Sequence, residues 1–251
     1  LKYSSNTLMT VKYQPNFWNL ARKQVSYLAH ANNKSHDHID VFNPDVKTLR
    51  DSYQDFLFKI KQFDAGNGYQ NFNEFISDEA IDYADDGNGV TYVVWNILKD
   101  KNGHEIDRDI VSFYTLAVTS IPYIDRIRLD EEEAKATGEI YDKQNCAVSA
   151  IEIKMFAVNQ KYQNIFFEYG DEDLPVSVWV LRSIIDYIEN LSKTIVGVKA
   201  AFLHAVPDAV DFYLRNGFEF MLPNMEPFHS IDSEFTPMFL ALYELHINFD
   251  E

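Results

Sequence analysis

The sequence predicts a mixed α/β fold, a sheet with an early antiparallel hairpin and a late parallel β-α-β unit, flanked by helices on both faces. Three observations predict it. Two stretches before residue 86 repeat apolar residues at helical spacing. Residues 90–118 then turn β-branched and aromatic, as strands do. After residue 150 a strand, a long amphipathic helix and a nearly all-apolar run follow one another, the order of a parallel β-α-β unit.

Residues 1–36 are polar and rich in Asn, Tyr and Ser, with only a modest helical stripe at Phe17, Leu20, Ala21, Gln24 and Leu28. They read as an N-terminal extension to a domain spanning 37–251, able to cover the core, dimerise or gate a site on that domain. Ile39–Phe42 suggests a short strand, and Asn43-Pro44 a helix start with proline in the first turn. Leu49, Tyr53, Phe56, Leu57, Ile60 and Phe63 place one helical face on the core, ending at Gly66-Asn67-Gly68. A second helix fits Phe72 to about Ala84, closed by Asp86-Gly87-Asn88-Gly89.

Val90–Leu98 and Ile110–Val118 are strands joined through the turn residues Asp100-Lys101-Asn102-Gly103. Residues 130–145, with Glu131-Glu132-Glu133, read as an exposed acidic loop. Ala150–Val158 is a strand. Val178, Leu181, Ile184, Ile185, Ile188 and Leu191 line one face of a helix. Ile195–Leu203 suits a central strand, Asp208 to Arg215 a short helix stopped at Asn216-Gly217, and Met238–His246 the last strand. No internal repeat is evident.

Composition narrows the function. The 251 residues are 46% hydrophobic, a globular value, and carry a formal charge of −17. Such a field repels polyanions, so RNA contact would require clustered Lys and Arg, and the 22 present are scattered. An acidic protein suits a cationic partner better. The single Cys146 excludes a disulfide framework or a cysteine-based zinc site within one chain. No apolar run reaches the roughly 18 residues of a membrane span, and Leu1-Lys2-Tyr3-Ser4 lacks a signal-peptide core, so a cytoplasmic location is expected. His36-Asp37-His38, with His30 nearby, has metal-ligand chemistry but no further ligand at defined spacing, and reads as surface.

Several stretches, in order, resemble the GNAT N-acetyltransferases, and within them the acetyltransferase toxins of bacterial toxin–antitoxin modules. They are Phe63-Asp64-Ala65-Gly66-Asn67, Asn73-Glu74-Phe75-Ile76, Gly89-Val90-Thr91-Tyr92-Val93 and Phe113-Tyr114-Thr115-Leu116-Ala117. Met155-Phe156-Ala157-Val158 with Tyr162-Gln163 follows, and then Leu203-His204-Ala205, Ala209, Phe212-Tyr213 and Gly217-Phe218-Glu219. Ala65 stands where that branch usually has Cys. The likeness covers roughly residues 39–247. It implies a mixed, mostly antiparallel central sheet whose fourth and fifth strands are parallel and splay around acetyl-CoA, and an acetyl group passed directly to an amine. Backbone groups of Phe156, Ala157 and Val158 would meet the pantetheine. Gln163, Asn164 and the helix start at Ser177 would lie at the pyrophosphate, and Tyr213 would protonate the leaving thiolate. The resemblance also implies aminoacyl-tRNA as acceptor and an antitoxin partner. Charge favours a cationic small molecule or a lysine-bearing protein instead.

The likeness breaks at the pyrophosphate loop. Where the family has glycines, Gln163 is followed by Asn164-Ile165-Phe166-Phe167-Glu168-Tyr169-Gly170-Asp171-Glu172-Asp173-Leu174-Pro175. Either this segment loops away from the site, with Ser177 capping the helix and Lys161, Arg182 and Arg215 as candidate phosphate partners, or coenzyme binding is lost. In the second case the chain is a non-catalytic GNAT-fold module that binds a protein. His204 is readable as a base or as a structural histidine. Glu152 is readable as a guide for a cationic amine or as half of an outward pair with Lys154.

Overall fold

The computed structural model describes residues 8–11, 37–222, 224–225 and 234–248. The sequence first makes strand β1 (Leu8–Val11), a two-residue β2 (Asp37–His38) and β3 (Pro44–Thr48). Helix α1 (Leu49–Ile60) follows, then α2 (Gln70–Glu74), a π-helical turn over Phe75–Glu79, and α3 (Ala80–Asp85). Strands β4 (Val90–Lys99) and β5 (Glu105–Arg128), helix α4 (Glu131–Thr137) and strand β6 (Tyr141–Val158) come next. A 3₁₀ turn at Gln160–Tyr162 leads into β7 (Ile165–Tyr169), β8 (Glu172–Pro175) and the long α5 (Val176–Thr194). The chain continues through β9 (Ala200–Ala205), α6 (Val210–Arg215), β10 (Glu219–Phe220), β11 (Thr236–Ala241) and β12 (Leu245–Asn248). No helix among the described residues is long and apolar enough to cross a membrane.

Four expectations change. Pro44 opens an edge strand rather than a helix, a place where its missing N–H costs no ladder bond. The helix starts five residues later, where the Thr48 hydroxyl accepts from Asp51 N–H. Ile39–Phe42 is not a strand, and pairing is confined to residues 37 and 38. Residues 131–137 are a helix, because Asp130 and Glu133 form a reciprocal capping box, although every turn of it is exposed or nearly so. Residues 195–199 are not in a strand, Ile195 being 77% exposed, and β9 begins at Ala200. The helical stripe of residues 17–28 lies outside the described residues.

The chain forms two compact units, and β5 and β6 each run through both. The first comprises residues 22–117 and 153–188. Here β3, β4 and the start of β5 are antiparallel neighbours, and the end of β6 lies beside β5. Helix α1, the loop after it and the π-helical turn cover one face with Leu49, Ile60, Phe63, Phe75 and Ile76, which share a core with Trp95 and Phe113. On α5, Tyr187 shares a hydroxyl hydrogen bond with Tyr92, whose ring stacks on Tyr114.

The second unit comprises residues 1–21, 118–152 and 189–251. Its strand order is β10, β11, β9, β6, with β9, β10 and β11 antiparallel. Ile121, Ala150, Ala200, Phe202, Phe239 and Ile247 build its core. Part of the N-terminal extension belongs here, since β1 pairs antiparallel with β12, Leu8 opposite Asn248.

Candidate functional site

The end of β6 is tied to its neighbours by several hydrogen bonds. Ala157 is buried in the helix-side core, and its carbonyl accepts from the Ser112 hydroxyl at 2.7 Å. Phe156 is half-buried beside it. The next carbonyl, that of Val158, accepts from the Gln163 side-chain amide at 3.0 Å. The same amide donates to Ala65 O at 2.9 Å. Gln163 therefore ties the strand end to the loop after α1, and Gln160 N–H adds a bond to Asp64 O at 2.7 Å.

That loop is itself knotted. Asn73 Oδ1 accepts from Ala65 N–H, and Asp64 Oδ1 accepts from Gly66 N–H, both at 2.8 Å. Gly66 sits at φ +97°, a conformation that L side chains rarely adopt. The resemblance fragments at 63–67, 73–76 and 155–163 are thus one hydrogen-bonded assembly. Asp64 and Asn73 had no assigned role in the sequence, although both lie inside those fragments.

Residues 165–175 fold as a β-hairpin. Phe166 to Tyr169 pair antiparallel with Pro175 to Glu172, and Gly170-Asp171 makes the turn with Gly170 at φ +68°. Glycine at the first of two central residues is the type II′ choice that matches strand twist. Phe167 and Leu174 face each other across the hairpin and are buried. Phe42 packs on Phe167 at 4.7 Å and on Trp179 of α5 at 5.2 Å. His38 reaches Asp173 at 3.1 Å, and β2 adds a parallel strand. Glu168, Asp171, Glu172 and Asp173 point to solvent.

This arrangement bears on the remaining coenzyme candidates. Asn164 is an exposed turn residue. Helix α5 begins at Val176, so Ser177 lies inside the first turn and Pro175 holds the flanking position where a cap would sit. Among the candidate phosphate partners, Lys161 is paired with Asp109 at 2.7 Å and Arg215 with Asp211 at 3.7 Å. Arg182 lines a pocket of about 270 Å³ with Tyr169, Gly170, Asp171, Glu172 and Leu174.

In the second unit, α6 holds Tyr213 buried, its ring edge-on to Phe212 at 5.3 Å and to Phe218 at 5.5 Å. Burial drives its ionisation well above the ordinary tyrosine range, so the phenol keeps its proton through neutral pH. Nine residues earlier on β9, His204 Nδ1 lies 3.4 Å from Glu152 Oε1 on β6. Glu152 is buried whereas Lys154 is exposed, so the two do not form an outward-facing pair. His30 and His36 lie outside the described residues. No cluster of three or more His, Cys, Asp or Glu side chains suited to a metal occurs among the described ones.

No protein-family model matches the sequence, and no curated protein is similar to it. Solved structures are similar in fold. A mutant of the AtaT toxin aligns with a TM-score of 0.52 at 13% identity, over 84% of this chain and 96% of the toxin. The same mutant bound to the C-terminus of the antitoxin AtaR and acetyl-CoA aligns with 0.50 at 12% identity, over 79% of this chain and 93% of that one. A structure described as a bacterial toxin gives 0.50 at 18%, over 81% and 92%. At such identities the likeness speaks for the fold, which is the GNAT-like mixed α/β fold of these toxins.

Proposed function

We propose that this protein is an acyl-CoA-dependent N-acetyltransferase that passes the acetyl group of acetyl-CoA directly to an amine. The reading rests on Tyr213, on α6 in the toxin-like fold, which stands in the Phe-Tyr stretch that resembles the family. A phenol carries its proton at neutral pH and can give it to a departing thiolate. The amine nitrogen attacks the thioester carbonyl, the carbon–sulfur bond breaks, and Tyr213 protonates the sulfur. The phenolate regains its proton from the nitrogen, which ends as an amide.

The chain suits the thioester end of acetyl-CoA better than the pyrophosphate end. Backbone groups of Phe156, Ala157 and Val158 remain the candidates for the pantetheine. The Val158 carbonyl already accepts one bond and has a second lone pair to offer. The first-turn N–H groups of α5, at Val176 and Ser177, remain the candidates for the pyrophosphate. Gln163 supports the strand end indirectly by bonding to Val158 and Ala65 carbonyls, while Asn164 stays a candidate only through the resemblance. The acceptor that fits a charge of −17 is cationic, a polyamine, an aminoglycoside or a lysine side chain. Aminoacyl-tRNA is the acceptor to set against it. An antitoxin-like protein partner follows from the likeness to the toxin bound to AtaR.

One observation favours a second reading. The hairpin uses its own N–H groups in its ladder, where the family's loop would offer them to phosphate. A non-catalytic module that binds a protein would tolerate that change. A thermal-shift titration with acetyl-CoA separates the two. Ligand at about 100 times its Kd stabilises by roughly 2.7 kcal/mol, which for this size raises Tm by about 5 to 10 °C. That shift is the expected result. No shift at millimolar acetyl-CoA would leave the protein-binding module as the reading.

A further inference from the structure

The β7–β8 hairpin and helix α5 border a pocket that the chemistry derived so far does not use. Phe167 and Leu174 face each other across the hairpin and are buried. Side chains two residues apart share a face of a strand, so the next pair out, Tyr169 and Glu172, stands on that same face at the hairpin's tip. The Tyr169 ring lies edge-on to Phe167 at 6.1 Å, and the residue is 54% exposed. These residues, with Gly170, Asp171 and Arg182 of α5, line a pocket of about 270 Å³. That volume falls just short of the roughly 300 Å³ where pockets for drug-sized ligands begin, so the occupant it fits is a small metabolite.

The lining carries three kinds of surface. Arg182 comes from the helix, and its planar guanidinium matches a carboxylate. It has an interaction within its own chain, and five N–H donors leave room for a second. Asp171 and Glu172 come from the hairpin and offer carboxylates to an ammonium group. Tyr169 and Leu174 supply an apolar wall. A phosphate is repelled by the two carboxylates, and a polyamine is repelled by Arg182. A molecule that carries a carboxylate, an ammonium group and an apolar side chain meets a matching surface for each. We propose that this pocket binds a free α-amino acid with an apolar or aromatic side chain. Its carboxylate accepts from Arg182, its ammonium donates to Asp171 and Glu172, and its side chain lies against Tyr169 and Leu174. Such a ligand holds the hairpin tip to α5. Val176 and Ser177 are not among the lining residues, so the proposal stands independently of the acetyltransferase reading.

The test is calorimetric titration of the full chain with L-phenylalanine, L-leucine, N-acetyl-L-phenylalanine, L-phenylalaninamide and CoA. Phenylalanine or leucine is expected to give a saturable heat at millimolar concentration or below. The acetylated compound lacks the ammonium and the amide lacks the carboxylate, so each is expected to bind at least about tenfold more weakly than phenylalanine. Arg182→Gln is expected to weaken phenylalanine by at least about tenfold. The double variant Asp171→Asn with Glu172→Gln should erase the preference for phenylalanine over its acetylated form. No heat from either amino acid overturns the proposal. Equal binding of the three phenylalanine compounds also overturns it, because the pocket then reads no charge. CoA binding that Arg182→Gln removes overturns it in another way, by making the pocket part of a coenzyme site. Wild-type binding of phenylalanine by both variants places the amino acid elsewhere and refutes this pocket. If Arg182→Gln does not fold, the double variant decides alone, since Asp171 and Glu172 are exposed.

Discussion

Residues 200–218 and residues 159–176 belong to the same fold and have been treated differently. The first stretch holds Tyr213, the acid of the proposed reaction, buried between two rings. The second is a hairpin with a buried Phe167–Leu174 pair and four solvent-facing carboxylates, where the resemblance would lead one to expect a glycine-rich loop. Acid–base chemistry depends on a few side chains held within about 1 Å, whereas a pyrophosphate is recognised by backbone N–H groups that several loop shapes can present. On the proposed function, the anchoring end is the part that can be remodelled at lower risk to the reaction.

The largest expected effect breaks or makes the first half of that comparison. Tyr213→Phe keeps the ring that packs on Phe212 and Phe218 and removes only the hydroxyl. Turnover is expected to fall by about 10² to 10⁴, with acetyl-CoA affinity and Tm close to wild type. An unchanged turnover would remove Tyr213 from the chemistry. The pH dependence has a definite sign. Burial raises the ionisation of Tyr213, so its contribution to stability is complete below about pH 10 and is lost as pH rises towards its folded value. Tyr162 is likewise pushed up to about 12, mainly by burial. A tyrosinate absorbance titration should therefore show a late group of tyrosines, and no loss of the acid between pH 7 and 9.

How much of this was legible in the sequence depends on the range of the interactions. Helix α1 and strands β4 and β5 follow from local periodicity. The Thr48 cap is also local, a hydroxyl accepting from the N–H three residues on, whereas Asn43-Pro44 points to an earlier start that the structure does not have. The capping box at Asp130-Glu131-Glu132-Glu133 was likewise readable, but a run of charge suggested a loop. The hairpin was recognisable only as a break in the resemblance, because its stability comes from Phe42, more than a hundred residues away. The Glu152–His204 pair was legible as two separate residues. That they meet depends on β6 and β9 being neighbours, a non-local fact that spacing does not encode.

The next effect, intermediate in size, concerns whether the hairpin is part of the fold or an ornament. Phe167 is 5% exposed and touches the Phe42 and Tyr169 rings. Phe167→Ala should cost about 3 to 5 kcal/mol, measured by urea denaturation. A loss below about 1 kcal/mol would mean that the surroundings close over the gap or that the hairpin opens independently. The rebuilt region would then be an attachment, and the comparison would weaken.

The smallest effect sharpens the comparison most. Glu168, Asp171 and Glu172 can be neutralised together as Glu168→Gln, Asp171→Asn and Glu172→Gln, sparing the Asp173–His38 pair. If these carboxylates bordered the pyrophosphate, each would repel it by about 1 kcal/mol at 4 Å in water. Together they would then tighten acetyl-CoA by well over tenfold at low salt. A hairpin directed away from the coenzyme leaves them beyond a Debye length of about 10 Å, where ions screen the repulsion. The expected outcome by calorimetry is a change of less than about threefold, fading as salt is raised. That result would mean the loop was rebuilt outward, with the first turn of α5 left to hold the phosphates. A tenfold gain that salt abolishes would mean the opposite, a chain that weakens its own coenzyme site while keeping the acid that the site exists to serve.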